Sequence, residues 1–414
     1  MSLPAEVPMQ KKKKQTKWIK FRHRIVRNIA FALLCPYCKW KYGVTADRFK
    51  EQGDRAYLIL YNHQTAFDQF FVGMSFRGPV YYLASEDIFS NGLVSALIRW
   101  LVAPIPIKKQ ASDAAAVMNC IRVAREGGTI AIAPEGNRTY SGKTEYMNPA
   151  IAGLAKKMHL PIALYRIEGG YGVQPRWSDV LRKGTMHAYV SRVIEPEEYD
   201  SLTNEELFAI IEQGLAVNDS ITDGIFQSGK RAEYLERAIY VCPDCGLSKF
   251  ESHGNEIECK TCGKKIAYGV DKKLTGVECT FPFETVNEWY DYQKDFVCTL
   301  DVTKHTQEPL FRDTANIFEV ILNKRKLPLR KAAAVSLYGD RIAIDEGSEN
   351  ALVFPFAEVS AISVLGRNKL NVYHKNCVYQ FKGGKRFNAL KYVNICFRCK
   401  NILRGDEYGT FVGL

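Results

Sequence analysis

Residues 56–68 read AYLILYNHQTAFD, and they set the pattern for the first half of the chain. The apolar and aromatic run at 56–61 predicts a buried strand, and a helical pattern follows from about residue 66 to residue 75. Thr65 is expected to be the N-cap of that helix, with Asp68 in a capping-box-like position behind it. A strand, a short turn and a helix form the repeating unit of an α/β fold.

The same alternation continues on both sides of this stretch. Strands are predicted at residues 79–83, 105–107, 129–133, 161–167 and 183–194. Helices are predicted at residues 93–101, 111–126 and 151–158, and a mostly helical, polar stretch at 203–238. This order predicts an α/β fold with a mostly parallel sheet flanked by helices. Sheets of this kind carry their sites beyond the carboxyl ends of the strands.

His63 and Asp68 follow the first of these strands and offer a pair for proton transfer. If the strand ends near residue 62 and a turn precedes the helix, His63 can fold back onto the carboxylate. The carboxylate would then fix the imidazole tautomer, and the second ring nitrogen could accept a proton from an alcohol. The alternative is that Asp68 only caps the helix and that His63 is an ordinary loop residue.

A second motif, PEGNRT at residues 134–139, follows the strand predicted at 129–133. Gly136 permits a tight turn, and Arg138 offers a planar fork for phosphate oxygens. Glu135 would repel a phosphate, so it is expected to orient Arg138 or to receive a hydroxyl. Two more cations follow the strand predicted at 105–107, namely Lys108 and Lys109. The alternative is a solvent-exposed loop with a surface salt bridge.

The two motifs resemble the glycerolipid acyltransferases of the lysophosphatidic acid acyltransferase type, which carry four ordered blocks. The His-x4-Asp block is matched by residues 63–68, and the block that ends in a basic residue by IPIKK at 105–109. The Glu-Gly-x-Arg block is matched by APEGNRT at 133–139, and the apolar strand with a proline by LPIAL at 160–164. The resemblance covers roughly residues 20 to 200.

The resemblance implies a fold, a reaction and a set of roles. His63 would be the general base and Asp68 its partner, while Pro161 would help to shape the acyl site. The acceptor's phosphate would be contacted by Lys108, Lys109, Glu135, Gly136, Asn137 and Arg138. A fatty acyl group would move from an acyl-CoA or acyl-carrier-protein thioester to the hydroxyl of a lysophospholipid, a step of phospholipid biosynthesis.

This chain departs from the family pattern at several positions of the blocks. Asn137 replaces the usual Thr, and the second block lacks its usual Gly and Arg. These departures leave the identity of the acceptor open. Glycerol 3-phosphate or a lysolipid with a bulkier head group stays an alternative to lysophosphatidic acid.

Positive charge is concentrated at the beginning of the chain. The first 50 of the 414 residues hold thirteen Lys and Arg but only two acidic residues. Residues 16–34 have the pattern of an amphipathic helix with a basic side, which is typical of a helix in a bilayer interface. We therefore expect an anionic membrane surface as partner, on the cytoplasmic face, with peripheral or monotopic attachment. The alternative is a helix packed on its own protein with a solvated basic face.

Apolar segments elsewhere do not change this expectation. No apolar run reaches the about 18 residues of a spanning helix. The run at 93–107 is broken by Arg99, Pro104 and Pro106, so a buried or interfacial helix is expected there. A secretory signal is not expected, because the apolar segment near residue 30 is short and lacks a small-residue cleavage site.

Two cysteine pairs with following glycines, CPDCG at 242–246 and CKTCG at 259–263, have the spacing of a zinc ribbon. Structural zinc is expected on four thiolates, those of Cys242, Cys245, Cys259 and Cys262. Reduced surface cysteines are the alternative, but they do not explain two glycines in register. Two other pairs carry a weaker signal for metal or redox work, Cys35 with Cys38 and Cys396 with Cys399.

Two other classes of protein explain less of this sequence than an acyltransferase does. A nucleic-acid-binding protein would explain the ribbon and the basic N-terminus but not the four ordered blocks. Acidic residues inside the ribbon also argue against nucleic acid as a partner, namely Asp244, Glu251, Glu256 and Glu258. An inactive scaffold that keeps the fold and binds lipid is a third reading.

The sequence predicts four regions. They are a basic membrane-binding N-terminus (1–50), an acyltransferase domain (51–235), a zinc ribbon (236–300) and a β-rich, pleckstrin-homology-like domain (310–414). Short strands followed by one helix suggest the last of these. A basic turn in it, residues 382–386, could bind a head group or a protein, or could be a solvated hairpin turn.

Overall fold

The structure is a computed structural model that describes residues 17–85, 88–89, 92–107, 113–321, 325–406 and 409–413. The first half of the described chain contains strands β1 (Val44–Ala46), β2 (Leu58–Tyr61), β3 (Val80–Ser85), β4 (Ile105–Ile107), β5 (Thr129–Ile132), β6 (Ile162–Glu168) and β7 (Met186–Ile194). Its helices are α1 (Phe21–Tyr42), α2 (Asp68–Ser75), α3 (Leu93–Val102), α4 (Ala114–Arg125), α5 (Ala150–Met158), α6 (Gly170–Val173), α7 (Pro196–Tyr199) and α8 (Asn204–Leu215).

These strands form one sheet in the order β1-β7-β6-β2-β5-β3-β4. All neighbouring pairs are parallel except β6 with β7. Alternate residues of β2 point to opposite faces, because successive side chains of a strand alternate. Leu58 and Leu60 enter a core with α4, α5 and α8, whereas Ile59 enters a second core with α1 and α2. The predicted α/β class, with a mostly parallel sheet flanked by helices, is confirmed.

The N-terminal helix differs from its prediction at both ends. Trp18 and Ile19 precede α1, and their backbone N–H groups donate to Oε2 of Glu126 at 2.7 and 3.0 Å. The helix then continues through Pro36 to Tyr42 and ends at Gly43, which adopts a left-handed conformation and bonds to the carbonyl oxygen of Lys39. The sequence prediction of a helix at 16–34 was therefore too early at its start and too short at its end. Cys35 and Cys38 lie within the helix.

The stretch at 203–238 is the clearest error of the sequence-based prediction. Helix α8 ends at Leu215, and the rest is irregular apart from a 3-10 turn at Leu235–Arg237. Residues 218–224 read NDSITDG, which is rich in turn-forming residues, and this composition ends the helix.

The middle of the chain is built from short strands and one long helix. The strands are β8 (Val241–Cys242), β9 (Gly246–Leu247), β10 (Phe250–His253), β11 (Glu256–Cys259), β12 (Lys265–Tyr268) and β13 (Leu274–Val277). Strands β10 to β13 form an antiparallel sheet in chain order, and β8 pairs with β9. Helix α9 (Val286–Thr299), which the sequence analysis did not predict, packs Trp289 and Val297 into the core that these strands share with the C-terminal region.

The C-terminal region is a second seven-stranded sheet, closed by one helix. Its elements are β14 (Phe311–Ile321), β15 (Arg325–Leu337), β16 (Arg341–Ile344), β17 (Leu352–Pro355), β18 (Val359–Leu365), β19 (Lys369–His374), β20 (Cys377–Gly383) and α10 (Leu390–Leu403). The order is β17-β16-β15-β14-β20-β19-β18, and every pair is antiparallel. The β-rich C-terminal region is confirmed, although β14 was missed. Its pleckstrin-homology likeness stays a prediction.

The C-terminal sheet packs tightly against the rest of the chain. One continuous apolar core contains Tyr140 and Trp177 together with residues of the middle region and of the C-terminal sheet. Arg386, in the predicted basic turn, forms ion pairs with Glu233, Glu236 and Glu251. This arginine therefore joins two regions of the chain rather than standing in a solvated hairpin.

The described helices include none with the combined length and hydropathy needed to cross a bilayer.

Candidate active site

The parallel sheet places the two motifs side by side. Strands β2 and β5 are neighbours, with Leu60 opposite Ile132, so both motifs leave the same edge of the sheet. The N–H of Thr139 donates to the carbonyl oxygen of His63 at 3.2 Å and ties the two loops together. A site at the carboxyl ends of parallel strands is where this class of sheet places its ligands.

The side chains of His63 and Asp68 form a hydrogen-bonded pair. Nδ1 of His63 lies 2.7 Å from Oδ2 of Asp68, and the histidine side chain is 24% exposed while that of Asp68 is fully buried. The carboxylate also accepts the N–H groups of Gln64 and Thr65 and the hydroxyl of Thr65, at 2.6 to 3.0 Å. These donors fix the carboxylate, and the carboxylate in turn favours the tautomer that carries its proton on Nδ1. Nε2 is then the nitrogen that can accept a proton.

The local structure differs from the predicted cap. Helix α2 begins at Asp68 itself, and its N-cap is Phe67 rather than Thr65. The hydroxyl of Thr65 accepts the N–H of Phe67 and donates to Asp68, so the threonine closes the turn before the helix. The carboxylate consequently faces the turn, where it reaches both backbone N–H groups and the imidazole.

The side chain of Glu135 is hydrogen-bonded to the backbone of His63. Its Oε1 accepts the backbone N–H of His63 at 2.8 Å, and its Oε2 accepts the N–H of Glu145 at 3.4 Å. Burial raises the pKa of Glu135 to about 8, although both N–H donors act in the opposite direction. No ion pair joins it to Arg138 within the part of the chain that the structure describes. Glu135 therefore positions His63, a role that the sequence analysis did not foresee.

The EGNR turn (residues 135–138) carries Arg138, whose Nη1 group makes no hydrogen bond to the described residues. Gly136 has φ of 65°, a conformation that favours glycine, and turns the chain after β5. Nη1 of Arg138 is buried and has no hydrogen-bond partner among the described residues. Burial, together with the charges of Arg176 and Arg367, lowers the pKa of Arg138 to about 10. A half-buried guanidinium whose Nη1 has no hydrogen-bond partner among the described residues is suited to hold an anion.

One predicted site residue lies away from this group, and two others lie outside the described residues. Pro161 precedes β6, whose Ile162 lies opposite Leu58 at the start of β2. His63 is five residues further along, roughly 17 Å away at about 3.3 Å per residue. Pro161 thus lies toward the other edge of the sheet, and its role in the acyl site stays a prediction. Lys108 and Lys109 lie outside the described residues, directly after β4.

Sequence reasoning missed two arginines near the turn. Arg176 donates from Nη1 to the carbonyl oxygen of Arg138 at 2.8 Å and from Nη2 to Oδ1 of Asn137 at 3.3 Å. Arg367 comes from the loop after β18, nearly 200 residues further along the chain. Neither stands in a recognisable motif, so only the folded chain shows that they belong here.

The four predicted metal ligands meet in one cluster. The sulfur atoms of Cys242, Cys245, Cys259 and Cys262 all lie within 4.8 Å of one another. The Cys242 and Cys262 sulfurs are 3.8 Å apart, which equals the about 3.8 Å edge of a tetrahedron with Zn–S bonds of about 2.3 Å. The donor set and its geometry fit a metal ion. Within the described residues, Cys35, Cys38, Cys396 and Cys399 belong to no comparable group of three or more ligands.

Comparison with known proteins agrees with this geometry. Residues 44–167 match the model of the family described as Acyltransferase. This part of the chain is an acyltransferase-family domain, which confirms the resemblance drawn from the sequence motifs.

A solved structure is also similar, the 1-acyl-sn-glycerophosphate (LPA) acyltransferase PlsC from Thermotoga maritima. It is 21% identical, has a TM-score of 0.40, and the match covers 47% of this chain and 78% of that one. No curated protein sequence matches the chain.

Proposed function

We propose that this protein transfers a fatty acyl group from an acyl thioester to the hydroxyl of a lysophospholipid. The observation that carries the proposal is the pair of His63 and Asp68 next to the EGNR turn. The pair can accept a proton, and Arg138 can hold a phosphate. Both stand at one edge of the acyltransferase-family sheet and are joined by the Thr139–His63 hydrogen bond.

The reaction needs one base and good positioning. Nε2 of His63 takes the proton of the acceptor hydroxyl while its oxygen attacks the thioester carbonyl carbon. The tetrahedral intermediate collapses, the C–S bond breaks, and the imidazolium returns the proton to the departing thiolate. Asp68 stabilises the imidazolium between these steps. The thioester, on coenzyme A or on acyl carrier protein, is reactive enough that no covalent acyl-enzyme is required.

An activity assay with matched variants tests the proposal. The purified full-length protein would be offered lysophosphatidic acid, a lysolipid with a larger head group, and glycerol 3-phosphate, each with acyl-CoA and with acyl carrier protein. His63→Ala should abolish ester formation. His187→Ala is the control, because His187 forms a similar pair with Asp47 at the surface, 2.8 Å apart. No ester from the wild type in any combination, or full activity of His63→Ala, would contradict the proposal.

We infer further that α1 and α3 dock the enzyme on an anionic membrane surface, at the cytoplasmic face. Phe21, Leu33 and Trp40 of α1 are 77%, 70% and 79% exposed, and Leu93 of α3 is 89% exposed. The two helices lie together, since Arg22 donates to the carbonyl oxygen of Trp100 at 2.8 Å. Apolar side chains of this size, exposed on adjacent helices and accompanied by basic residues, suit an interface with anionic lipid.

We also infer that the four-cysteine cluster holds a structural zinc ion. Four thiolates complete a tetrahedral shell, so no position remains for a substrate. The ion would tie the β8–β9 hairpin to the loop between β11 and β12, which bear the two cysteine pairs.

A further inference from the structure

Arg176 connects the EGNR turn to the C-terminal sheet. In addition to its bonds to Asn137 and to Arg138, its Nη2 lies 3.5 Å from the carbonyl oxygen of Val364 in β18. The guanidinium lies over the ring of Tyr140, 4.3 Å from its centroid, and the side chain is buried. One arginine thus joins the turn that carries Arg138 to a sheet that lies outside the acyltransferase-family match at residues 44–167.

The C-terminal sheet also brings a cation of its own to this junction. Arg367 follows β18, and its Nη1 lies 3.0 Å from Oδ1 of Asp179. The same carboxylate already accepts two hydrogen bonds from Arg237, at 2.8 and 3.0 Å. One carboxylate therefore faces two guanidinium groups, and Arg367 keeps a partly exposed side chain with charge that Asp179 does not balance.

Carboxylates balance the positive charge at the junction only in part: Asp179 pairs with Arg367, and the charge of Asp68 opposes the effect of Arg176 and Arg367 on Arg138. Arg138 keeps a buried nitrogen without a partner among the described residues, and Arg176 and Arg367 are close enough to lower its pKa. A buried cation with like charges beside it is costly unless an anion joins it. Three arginines from three separate segments of the chain converge on this place.

We propose that the acceptor head group binds between the EGNR turn and the C-terminal sheet, where Arg138 holds its phosphate and Arg367 holds a second anionic group. This inference rests on the proposed function and narrows its substrate class to a phosphorylated head group that carries a second negative charge. Arg176 is a positioning residue that sets the turn and the sheet at the required separation. Asn137 contributes to this arrangement, because its side-chain oxygen accepts from Arg176.

Anion binding to the full-length protein tests the proposal without turnover. Isothermal titration would compare inorganic phosphate with pyrophosphate for the wild type, Arg367→Ala and Arg312→Ala. Arg367→Ala is expected to fold, because Asp179 keeps both bonds to Arg237. Arg312 is the control, as an exposed arginine of the same sheet that pairs with the exposed Glu308.

The wild type should bind pyrophosphate on the order of tenfold more tightly than phosphate, as expected for one added charge-assisted contact. Arg367→Ala should lose about that factor for pyrophosphate and little for phosphate, and Arg312→Ala should lose neither. Equal affinities of the wild type for both anions, or an equal loss for both in Arg367→Ala, would overturn the proposal and leave Arg367 as a contact between regions.

The same titration with His63→Ala separates this inference from the proposed function. His63→Ala should keep the binding pattern while it forms no ester. If the wild type forms no ester but binds the anions as expected, the acyl transfer fails and the anion site stands. If the wild type forms ester but does not prefer pyrophosphate, the anion site fails and the acyl transfer stands.

Discussion

The backbone N–H of His63 donates to Oε1 of Glu135 over 2.8 Å, so the loop that bears the proposed base is hydrogen-bonded to the turn that bears Arg138. The hydrogen bond of Thr139 to the carbonyl oxygen of His63 runs in the opposite direction. His63 is thereby held at both its backbone N–H and its C=O by residues of the second motif. If His63 is the base and Arg138 holds the acceptor's phosphate, as proposed, this arrangement would keep the distance between them constant, which positions the hydroxyl for proton transfer.

Asp68→Asn should lower kcat by roughly 10²- to 10⁴-fold, the range of a lost acid–base contribution. The amide cannot stabilise an imidazolium, and its NH₂ group would face donors that the carboxylate now accepts. Unpaired buried donors should also cost about 1–3 kcal/mol of stability. Steady-state kinetics and thermal unfolding measure the two effects. Asp47→Asn, which alters only the surface pair with His187, should change neither; a large effect there would argue against a specific role of Asp68.

Glu135→Gln should change how stability depends on pH. Burial raises the pKa of Glu135 in the folded protein to about 8. A raised pKa means that the folded state holds the proton more tightly than the unfolded chain. The stability linked to this group is therefore full below about pH 4.5 and is lost progressively as pH rises to about 8.

The free energy of unfolding that is lost through ionisation of Glu135 is at most about 5 kcal/mol for a pKa shift of this size. Denaturant unfolding at several pH values between 5 and 8 would measure it. Glu135→Gln lacks the titration, so its stability should fall less steeply with pH than that of the wild type. Parallel pH profiles for the two proteins would show that Glu135 does not titrate in this range.

Cys259→Ser should remove one equivalent of metal and destabilise the middle region. Cys259 is a buried member of the four-cysteine cluster, and a structural zinc site would contribute directly to folding free energy. The midpoint of thermal unfolding should fall by roughly 5 °C or more, given that about 1 kcal/mol shifts it by a few degrees. Elemental analysis measures the zinc, and Cys377→Ser in β20 is the control thiol. Wild-type protein without stoichiometric zinc would refute the site.

The double substitution Leu33→Asp and Leu97→Asp should weaken binding to vesicles that contain an anionic lipid by more than tenfold. Both side chains are exposed, one on α1 and one on α3, so the fold should persist. Burying each in the interface contributes about 1.5–3 kcal/mol. Vesicle co-sedimentation measures the effect, and Val353→Asp, an exposed apolar residue of β17, is the matched control. Undiminished binding of the double variant would exclude this surface.

Local pattern predicted most of the elements that position the site. Apolar strands such as β2 and β5 are recognisable because every residue is buried, and turn residues separate them from the helices. The ends of the helices and strands were predicted less accurately than their order. Helix α1 begins later than predicted, because Glu126 accepts the N–H groups of the two residues before Lys20, and it continues past residue 34 through Pro36 to Tyr42. Strand β14 lacks a regular alternation along its eleven residues and was missed.

The sequence by itself determined the α/β order, the place of Arg138 after a strand and the grouping of four cysteines, and it offered His63 and Asp68 as a possible pair. These features are local, because the residues of each motif are separated by short, fixed spacings in the sequence. Only the tertiary structure decided that the Glu135 side chain accepts from the His63 backbone, that Pro161 lies toward the other edge of the sheet, that Arg176 bonds to the EGNR turn, and that Arg367 lies near enough to act on the pKa of Arg138. Those contacts join segments distant in the chain, and no local pattern records which segments the shared core brings together.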